Sequence, residues 1–187
     1  MADTPESLYE QTLVIRSQLG DEAAFEALLQ RYGPRLLRFV QRMMQSSPEM
    51  IADILQEIWI GIYRALPRLR DVSKFHPWAF RIARDRIYRE YRRRRPAVLC
   101  ADETQLAALP DSAEVDSAPD GEELRHCLEL ISPEQREALI LRFFEELSYE
   151  EIARTTHSSI GTVRSRIHYG KEALKKAWKG ISHESPA

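Results

Sequence analysis

The sequence predicts an all-α protein of two small helical domains joined by a flexible acidic linker. Apolar residues recur at helical spacing through most of the 187 residues, and several of these runs follow a Ser or Asp that can cap a helix. Only seven glycines occur, and the alternating β-branched runs typical of strands are scarce. Between the two helical parts, residues 97–124 carry eight acidic residues and no basic one. The predicted domains are 1–95 and 124–187, with the linker at 96–123.

The first part begins with a mobile start that leads into a helix. Asp21 is expected to cap the second helix, and Gly33-Pro34 is expected to break or bend it. Ser47 and Pro48 have the cap and first-position identities of a third helix, which the sequence carries to about Leu66. A loop is predicted at residues 68–76 before the fourth helix.

The helix at residues 48–66 has more apolar surface than one core requires. Its isoleucines form an inner stripe, while acidic, amide and aromatic residues lie around the other side. Such a mixture indicates a protein-binding surface, although the pattern alone also fits a helix enclosed on all sides in a small bundle. The candidate binding residues are Asp53, Gln56, Glu57, Trp59 and Ile60.

The next helix, predicted from Pro77 to about Arg95, has an arginine-rich face. Residues 81–95 contain eight arginines and two acids. Arginines suit phosphates and aromatic rings suit unstacked bases, so this pattern favours nucleic-acid binding over a merely solvated face. By size alone, Trp78 fits a core position as well as a base-stacking one. The candidate DNA-binding residues are Lys74, Trp78, Phe80, Arg81, Arg84, Asp85, Tyr88 and Arg92.

Residues 148–179 are typical of a helix-turn-helix. Ser148 and Glu151 form a capping box, residues 155–158 interrupt the apolar pattern, and Ser159 caps a second helix. An ordinary two-helix corner would have the same pattern. The charge favours DNA binding, because residues 154–179 contain seven Lys or Arg and one acid.

The second helix of this pair places small hydroxyls and arginines opposite a stripe of Ile160, Val163 and Ile167. Such a face can enter a major groove. Arg166 is expected nearer the bases than Arg164, because it lies further from the stripe. The candidate DNA-binding residues are Ser159, Thr162, Arg164, Ser165, Arg166, Tyr169 and Lys171.

Composition excludes several classes of function. Cys100 and Cys127 are too few for a disulfide framework, which favours a reducing compartment. His126 beside Cys127 lacks a second pair at ligand spacing, so no metal site is predicted. We find no phosphate-binding glycine loop or nucleophile–base spacing, and therefore predict no enzyme and no cofactor. Without a signal peptide or a membrane-spanning apolar run, we expect a cytoplasmic protein with no membrane insertion.

The linker limits how two DNA contacts could be made at once. Its 28 residues reach about 95 Å when fully extended, at roughly 3.4 Å per residue. As a free coil they would average about 30 Å. Two DNA sites two to three helical turns apart are separated by about 70–100 Å. Simultaneous contact therefore requires a large partner that holds the linker nearly straight, and the outer face of the 48–66 helix is a candidate dock for it.

Four segments carry a resemblance to a known family. Over about residues 20–179, the chain resembles an extracytoplasmic-function (ECF) sigma factor of the bacterial sigma-70 family. GDEAAFEALLQRYGPRLLRFV resembles the start of region 2, and ADILQEIWIGIYRALPRLR the part that docks on the clamp helices of RNA polymerase. KFHPWAFRIARDRIYREYRRRR resembles the promoter-melting and −10-reading part, and LISPEQREALILRFFEELSYEEIARTTHSSIGTVRSRIHYGKEAL resembles region 4, which reads the −35 element.

The resemblance implies core RNA polymerase, promoter DNA and an anti-sigma factor as partners. It places Asp53, Gln56 and Glu57 on the polymerase-docking signature, and the linker where region 3 is missing. The chain departs from the family pattern at Asp85, where Asn is usual, and at His157, where Gly is usual. The residue after His157 is a serine instead of an apolar residue, so a looser turn is expected.

Two other classes compete with this interpretation. In a helix-turn-helix regulator that works without polymerase, the outer face of the 48–66 helix and the arginine-rich face would have no function. An adaptor that binds only proteins would not need two arginine-rich faces.

Overall fold

The computed structural model describes residues 4–94 and 121–184. Within these ranges the chain is helical and contains no strand, and it forms two compact units. The predicted all-α architecture with two helical domains is therefore confirmed. Most of the predicted acidic linker lies outside the described residues. A helix begins at Gly121, within the last three positions of the predicted linker.

The first unit contains four α-helices: α1 (Pro5–Gln18), α2 (Glu22–Met43), α3 (Pro48–Ala65) and α4 (Phe75–Arg94). Helix α1 packs on α2, and α3 packs on both α2 and α4. Apolar residues at helical spacing on each element meet in one core, because every helix presents a single buried stripe. The largest fully buried side chains include Leu28, Tyr32, Leu36, Phe39, Ile54, Ile58, Ile62, Phe75, Phe80 and Ile87.

The predicted helix caps are present. The carboxylate of Asp21 accepts a hydrogen bond of 3.1 Å from the Ala24 backbone N–H, and the hydroxyl of Ser47 accepts one from Met50. The bond from Ala24 and a second one from Arg16 hold the pKa of Asp21 below its ordinary value. These caps fix where α2 and α3 begin.

Helix α2 continues through Gly33-Pro34, so a break at this position is wrong, while the alternative expectation of a bend stays a prediction. Proline removes one backbone donor, but much of its clash with a helical neighbour involves the Cβ of the preceding residue. Gly33 has no Cβ, which relieves that clash. The buried stripe runs past the proline from Tyr32 to Leu36 and keeps the helix in register with the core.

The segment between α3 and α4 is more ordered than the predicted loop. It contains two 3-10 helices, Leu66–Arg68 and Val72–Lys74, and α4 begins at Phe75 instead of Pro77. Asp71 caps the second 3-10 helix by accepting a bond of 3.1 Å from the Ser73 N–H. The segment therefore leads into α4 with defined backbone geometry.

The second unit contains α5 (Gly121–Glu129), α6 (Pro133–Phe143), α7 (Tyr149–Thr156) and α8 (Ile160–Glu184). Helix α8 packs against α6, α7 and α5. Gly170 lets α8 approach α6 closely, because a Cβ at this position would stand 3.1 Å from Leu139. The buried side chains here include Leu128, Leu139, Ile140, Leu141, Ile152, Val163 and Ile167.

A buried arginine closes the end of α5. Arg136 on α6 is 8% exposed and donates hydrogen bonds to the carbonyl oxygens of Leu128, Glu129 and Ile131, at 2.6, 3.0 and 3.3 Å. Carbonyls at a helix C-terminus have no partner within the helix, so a guanidinium with several donors can satisfy them together. Arg136 therefore joins α5 to α6.

Hydrogen bonds hold the turn between α7 and α8, and its being looser than is usual in the family stays a prediction. His157 has the left-handed values φ 54° and ψ 39° that usually favour glycine. The Ser158 N–H donates to the Ala153 carbonyl at 3.0 Å, and the Ser158 and Thr156 hydroxyls lie 2.7 Å apart. These polar contacts replace the apolar contact that a larger side chain at position 158 would make.

Candidate protein-binding and nucleic-acid-binding surfaces

The outer face of α3 is open to solvent. Asp53, Gln56, Glu57 and Ile60 are exposed, and their side chains follow one another over two turns of the helix. The opposite side is buried through Ile54, Ile58 and Ile62. Within the first unit, α3 is therefore not enclosed on all sides, which removes the main alternative explanation of its pattern.

Aromatic residues extend this face at its C-terminal end. Trp59 is half-buried with its ring edge against Phe25, at a centroid distance of 6.0 Å. Tyr63 also contacts Phe25, at 5.1 Å, yet remains 63% exposed. Tyr63 was not among the candidate residues, although it lies one turn beyond Ile60. Aromatic rings are enriched in protein interfaces, and the acids and the amide beside them suit the polar rim of such an interface.

Glu57 also has a partner inside the protein. Its carboxylate forms an ion pair with Arg86 on α4. Arg86 was not a candidate residue, and nothing in the sequence pattern brings it to Glu57. The pair depends on how α3 and α4 pack, which places positions 29 residues apart side by side.

On α4, the predicted basic face is present in part. Lys74, just before the helix, and Arg81 and Arg92 along it are exposed. Arg84 is more enclosed, with 17% of its side chain exposed. Its guanidinium carbon lies 4.5 Å from the centroid of the Tyr88 ring, and its Nη1 lies 3.2 Å from Asp85 Oδ1. Arg84 is thus held against its own helix, while Asp85 keeps about half of its side chain exposed.

Two aromatic residues assigned to this face are core residues. Phe80 is fully buried between Phe39 and His76, with centroid distances of 5.2 and 5.0 Å. Tyr88 is 8% exposed, with Arg84 over its ring. Neither ring can stack on a base without opening the packing, so both assignments are corrected. Trp78 is half-buried, and its ring centroid lies 5.8 Å from that of Phe75. Its burial therefore does not decide between a core role and base stacking.

The end of α4 is tied down by a buried carboxylate. Glu90 is 3% exposed and accepts bonds from Arg93 at 3.0 Å and Arg94 at 2.9 Å. Burial disfavours its ionised form, but the two arginines outweigh this and hold the pKa of Glu90 below its ordinary value. Arg94 also donates to Ser46 Oγ at 3.1 Å. A second tie comes from the Tyr91 hydroxyl, which donates to the backbone carbonyl of Met43.

The hydroxyls at the start of α8 are used within the helix. Ser159 Oγ accepts a bond of 3.0 Å from the Thr162 N–H and lies 2.8 Å from the Thr162 hydroxyl. Ser165 donates to the carbonyls of Gly161 and Thr162, each at 3.1 Å. Ser159 therefore caps α8, as predicted. All three side chains are short enough to let a DNA backbone come close to this end of the helix.

The arginines of α8 differ from the sequence expectation. Arg164 is exposed, whereas Arg166 is half-buried, so the premise that placed Arg166 further outward is wrong. It was wrong because Ile160, assigned to the apolar stripe, is 41% exposed, and the buried stripe is centred on Val163 and Ile167. On a helix with 100° per residue, positions 164 and 166 lie about equally far from that centre.

The last two candidates flank this surface. Tyr169 is 41% exposed, and its ring lies 5.2 Å from that of His168. Lys171 is half-buried with its Nζ 5.1 Å from the centroid of the Phe143 ring on α6. Lys171 is therefore directed toward α6 by a cation–π contact, while Tyr169 remains on the open face.

In the part of the chain that the structure describes, no group of three or more His, Cys, Asp and Glu residues is arranged to hold a metal ion. Cys127 is buried. Among the helices within residues 4–94 and 121–184, none has the length and apolarity required to cross a bilayer.

The exposed outer face of α3, the arginine-rich α4 and the helix-turn-helix of α7 and α8 fit the class of DNA-binding transcription factors that also bind a protein. Comparison with known families identifies it further. Residues 28–97 match the family model for sigma-70 region 2, and residues 121–174 match that for sigma-70 region 4. The chain belongs to the ECF group of the bacterial sigma-70 family, and it is an RNA polymerase sigma factor, a transcription initiation factor that is not an enzyme.

Relatives and solved structures agree with this assignment. The chain is 33% identical to the RNA polymerase sigma-H factor of Pseudomonas aeruginosa, over 94% of this chain and 97% of the relative. It is 35% identical to the ECF RNA polymerase sigma-E factor of Escherichia coli K12, over 90% and 94%. Two solved structures share the fold. One is CnrH in complex with the cytosolic domain of CnrY, with a TM-score of 0.69 and 21% identity over 95% of this chain and 99% of that chain. The other is the sigma factor RpoE in complex with the anti-sigma factor NepR from Bartonella quintana, with a TM-score of 0.66 and 24% identity over 83% of this chain and 96% of that chain.

Proposed function

We propose that this sigma factor docks on core RNA polymerase through the outer face of α3 and carries promoter-reading residues on α4 and α8. The observation that carries the proposal is the open face of α3, whose acids and Ile60 face solvent while the other side fills a core. Lys74, just before α4, and Arg81, Asp85 and Arg92 on this helix would contact the −10 element, with Trp78 near them. The residues that would contact the −35 element are the cap Ser159 and, on α8, Thr162, Arg164, Ser165, Arg166 and Tyr169, with Lys171 at the edge.

One comparison tests this function against both competing classes. Promoter DNA is mixed first with the protein alone and then with the protein and core polymerase, and complexes are separated by gel shift. We expect a stable, promoter-specific complex only when core polymerase is present, followed by run-off transcript. Equally tight specific binding without polymerase would indicate an independent regulator, and the absence of binding in both mixtures would indicate an adaptor.

An anti-sigma factor belongs to the same proposal. The structures that share the fold include one described as a complex with an anti-sigma factor. We infer that this chain also has such a partner. By covering α3, the anti-sigma factor would prevent docking on polymerase. A cytoplasmic location accompanies the proposal, because the protein must meet both polymerase and chromosomal DNA.

Replacement of Arg164 by alanine is expected to weaken promoter binding and to relax preference at one position of the −35 element. A base-reading arginine contributes about 1–3 kcal/mol, while a phosphate contact lowers affinity uniformly. Arg164 is expected to have the larger effect, because it is exposed and Arg166 is half-buried. Gel shifts with holoenzyme on a set of −35 variants measure the affinity and the base preference of each protein variant. Lys176→Ala is the control, because Lys176 is an exposed lysine further along α8. Unchanged binding by both Arg164→Ala and Arg166→Ala would show that α8 is not the recognition helix.

Asp85→Asn is expected to change the preferred base in the −10 element. A carboxylate only accepts hydrogen bonds, so Asp85 should favour a base edge that donates, such as a cytosine amino group. Asparagine both donates and accepts, which alters that preference. Permanganate footprinting of promoter opening on −10 variants measures the change. Arg81→Ala is the matched comparison, since loss of an exposed arginine should weaken opening at every promoter alike. A base preference unaltered by Asp85→Asn would remove Asp85 from the reading site.

A further inference from the structure

The contact between α3 and α4 brings the proposed polymerase dock to the edge of the basic helix. Glu57 pairs with Arg86, and one turn further along α3, a Cβ on Gly61 would stand 3.2 Å from Ile82. Positions rise along α3 as they fall along α4, so the helices run antiparallel here. The absence of a side chain on Gly61 lets the Ile82 side chain of α4 pack against the backbone of α3, and the ion pair lies one turn from that contact.

The two partners of the pair are unequally exposed. The side chain of Glu57 is 46% exposed, whereas that of Arg86 is 21% exposed. Arg86 also lies about 140° around α4 from the exposed Arg81, at 100° per residue, and therefore on a different side of the helix from that residue. Arg86 is thus the enclosed partner, and Glu57 is the one that an incoming protein can reach.

We propose that Arg86 is a positioning residue of the polymerase dock. Its guanidinium engages Glu57 Oε2, and so fixes the carboxylate at the boundary between α3 and α4 with its second oxygen available to a donor on polymerase. The inference rests on the proposed function, because it requires the outer face of α3 to be the dock.

The physical reason is the cost of ordering a long side chain at an interface. A glutamate on an open helix face samples several rotamers, and binding must select one of them. The ion pair with the Arg86 guanidinium restricts the Glu57 side chain to one rotamer already in the free protein, so binding has less ordering to do. Arg86 also neutralises part of the charge of Glu57, which would oppose binding to a cationic partner. If positioning dominates, removal of Arg86 should weaken the affinity for polymerase. If neutralisation dominates, its removal should strengthen that affinity.

The test is the affinity of the full-length protein for core polymerase in the absence of DNA. If positioning dominates, Arg86→Met should weaken binding by up to about five-fold, the range expected for a partly exposed ion pair. Arg86→Lys, which keeps the charge, should restore part of the loss. Glu57→Gln should weaken binding as well, and the double variant Glu57→Gln/Arg86→Met should be little worse than Glu57→Gln alone. Arg89→Met is the matched control on the same helix, since Arg89 is exposed.

Each outcome distinguishes the two levels of the proposal. Unchanged or tighter binding by Arg86→Met, or additive losses in the double variant, would overturn the positioning role while leaving the dock intact. If Glu57→Gln and Asp53→Ala also leave affinity unchanged, the dock itself is wrong and the positioning role falls with it. Thermal unfolding of each variant separates these effects from a loss of structure. A variant that unfolds early is replaced by Arg86→Gln, which retains hydrogen-bond donors without the charge.

Discussion

Replacing Asp53 and Glu57 together with alanine is expected to weaken core polymerase binding by about 2 kcal/mol or more, which is about thirty-fold in Kd. Both side chains lie on the exposed face of α3 and fill no part of the core. Interface anchors that become desolvated commonly contribute this much when they are truncated. The far-ultraviolet circular dichroism of the variant should match the parent, because alanine is compatible with a helix.

The matched control removes the same charge from another helix. Glu22 and Glu26 are exposed on α2, so their double alanine variant changes the net charge equally without touching α3. Fluorescence titration of labelled protein with purified core polymerase measures both. If the two double variants bind equally, the effect comes from charge alone, and the outer face of α3 is not the dock.

Arg136→Ala is expected to destabilise the second unit by about 3 kcal/mol. The change leaves carbonyls of Leu128, Glu129 and Ile131 without their donor in a buried environment, and each unsatisfied group costs about 1–3 kcal/mol. Lysine should not restore the lost stability, because one ammonium cannot reproduce the planar arrangement of guanidinium donors.

Amide hydrogen exchange resolves this effect by unit. Protection in α5 and α6 should fall, while the first unit keeps its protection and serves as an internal reference. Arg154→Ala, at an exposed position on α7, is the comparison for loss of an arginine without buried partners. A loss of protection no greater than that of Arg154→Ala would mean that Arg136 contributes little to the stability of α5.

Most of the fold follows from local sequence signals. The caps at Asp21, Ser47, Ser148 and Ser159 lie where predicted, because capping depends on residues three positions apart. The error at Gly33-Pro34 arose from treating proline alone, without the relief that a preceding glycine provides. The starts of the capped helices were thus predictable, whereas the start of α4 at Phe75 and the two 3-10 helices before it were not.

The candidate surfaces were predictable in outline only. Phe80 precedes Ala83 and Ile87 by three and seven residues, so its burial on their stripe could have been inferred from spacing. Its aromatic character among arginines led to the wrong assignment. The Glu57–Arg86 pair and the Arg136 contacts were beyond reach, because they depend on the register between packed helices.

The ties at the end of α4 have a mechanical consequence. Beyond Arg94 the chain continues into the acidic stretch, so any pull along that stretch enters the first unit at this residue. Force applied to the end of an unsupported helix would peel its turns away one hydrogen bond at a time. Here the Arg94–Ser46 and Tyr91–Met43 bonds pass the load to the junction of α2 and α3, and Glu90 holds the arginines in place. The last turn of α4 would thus act as an anchor that resists unwinding under a pull applied beyond Arg94.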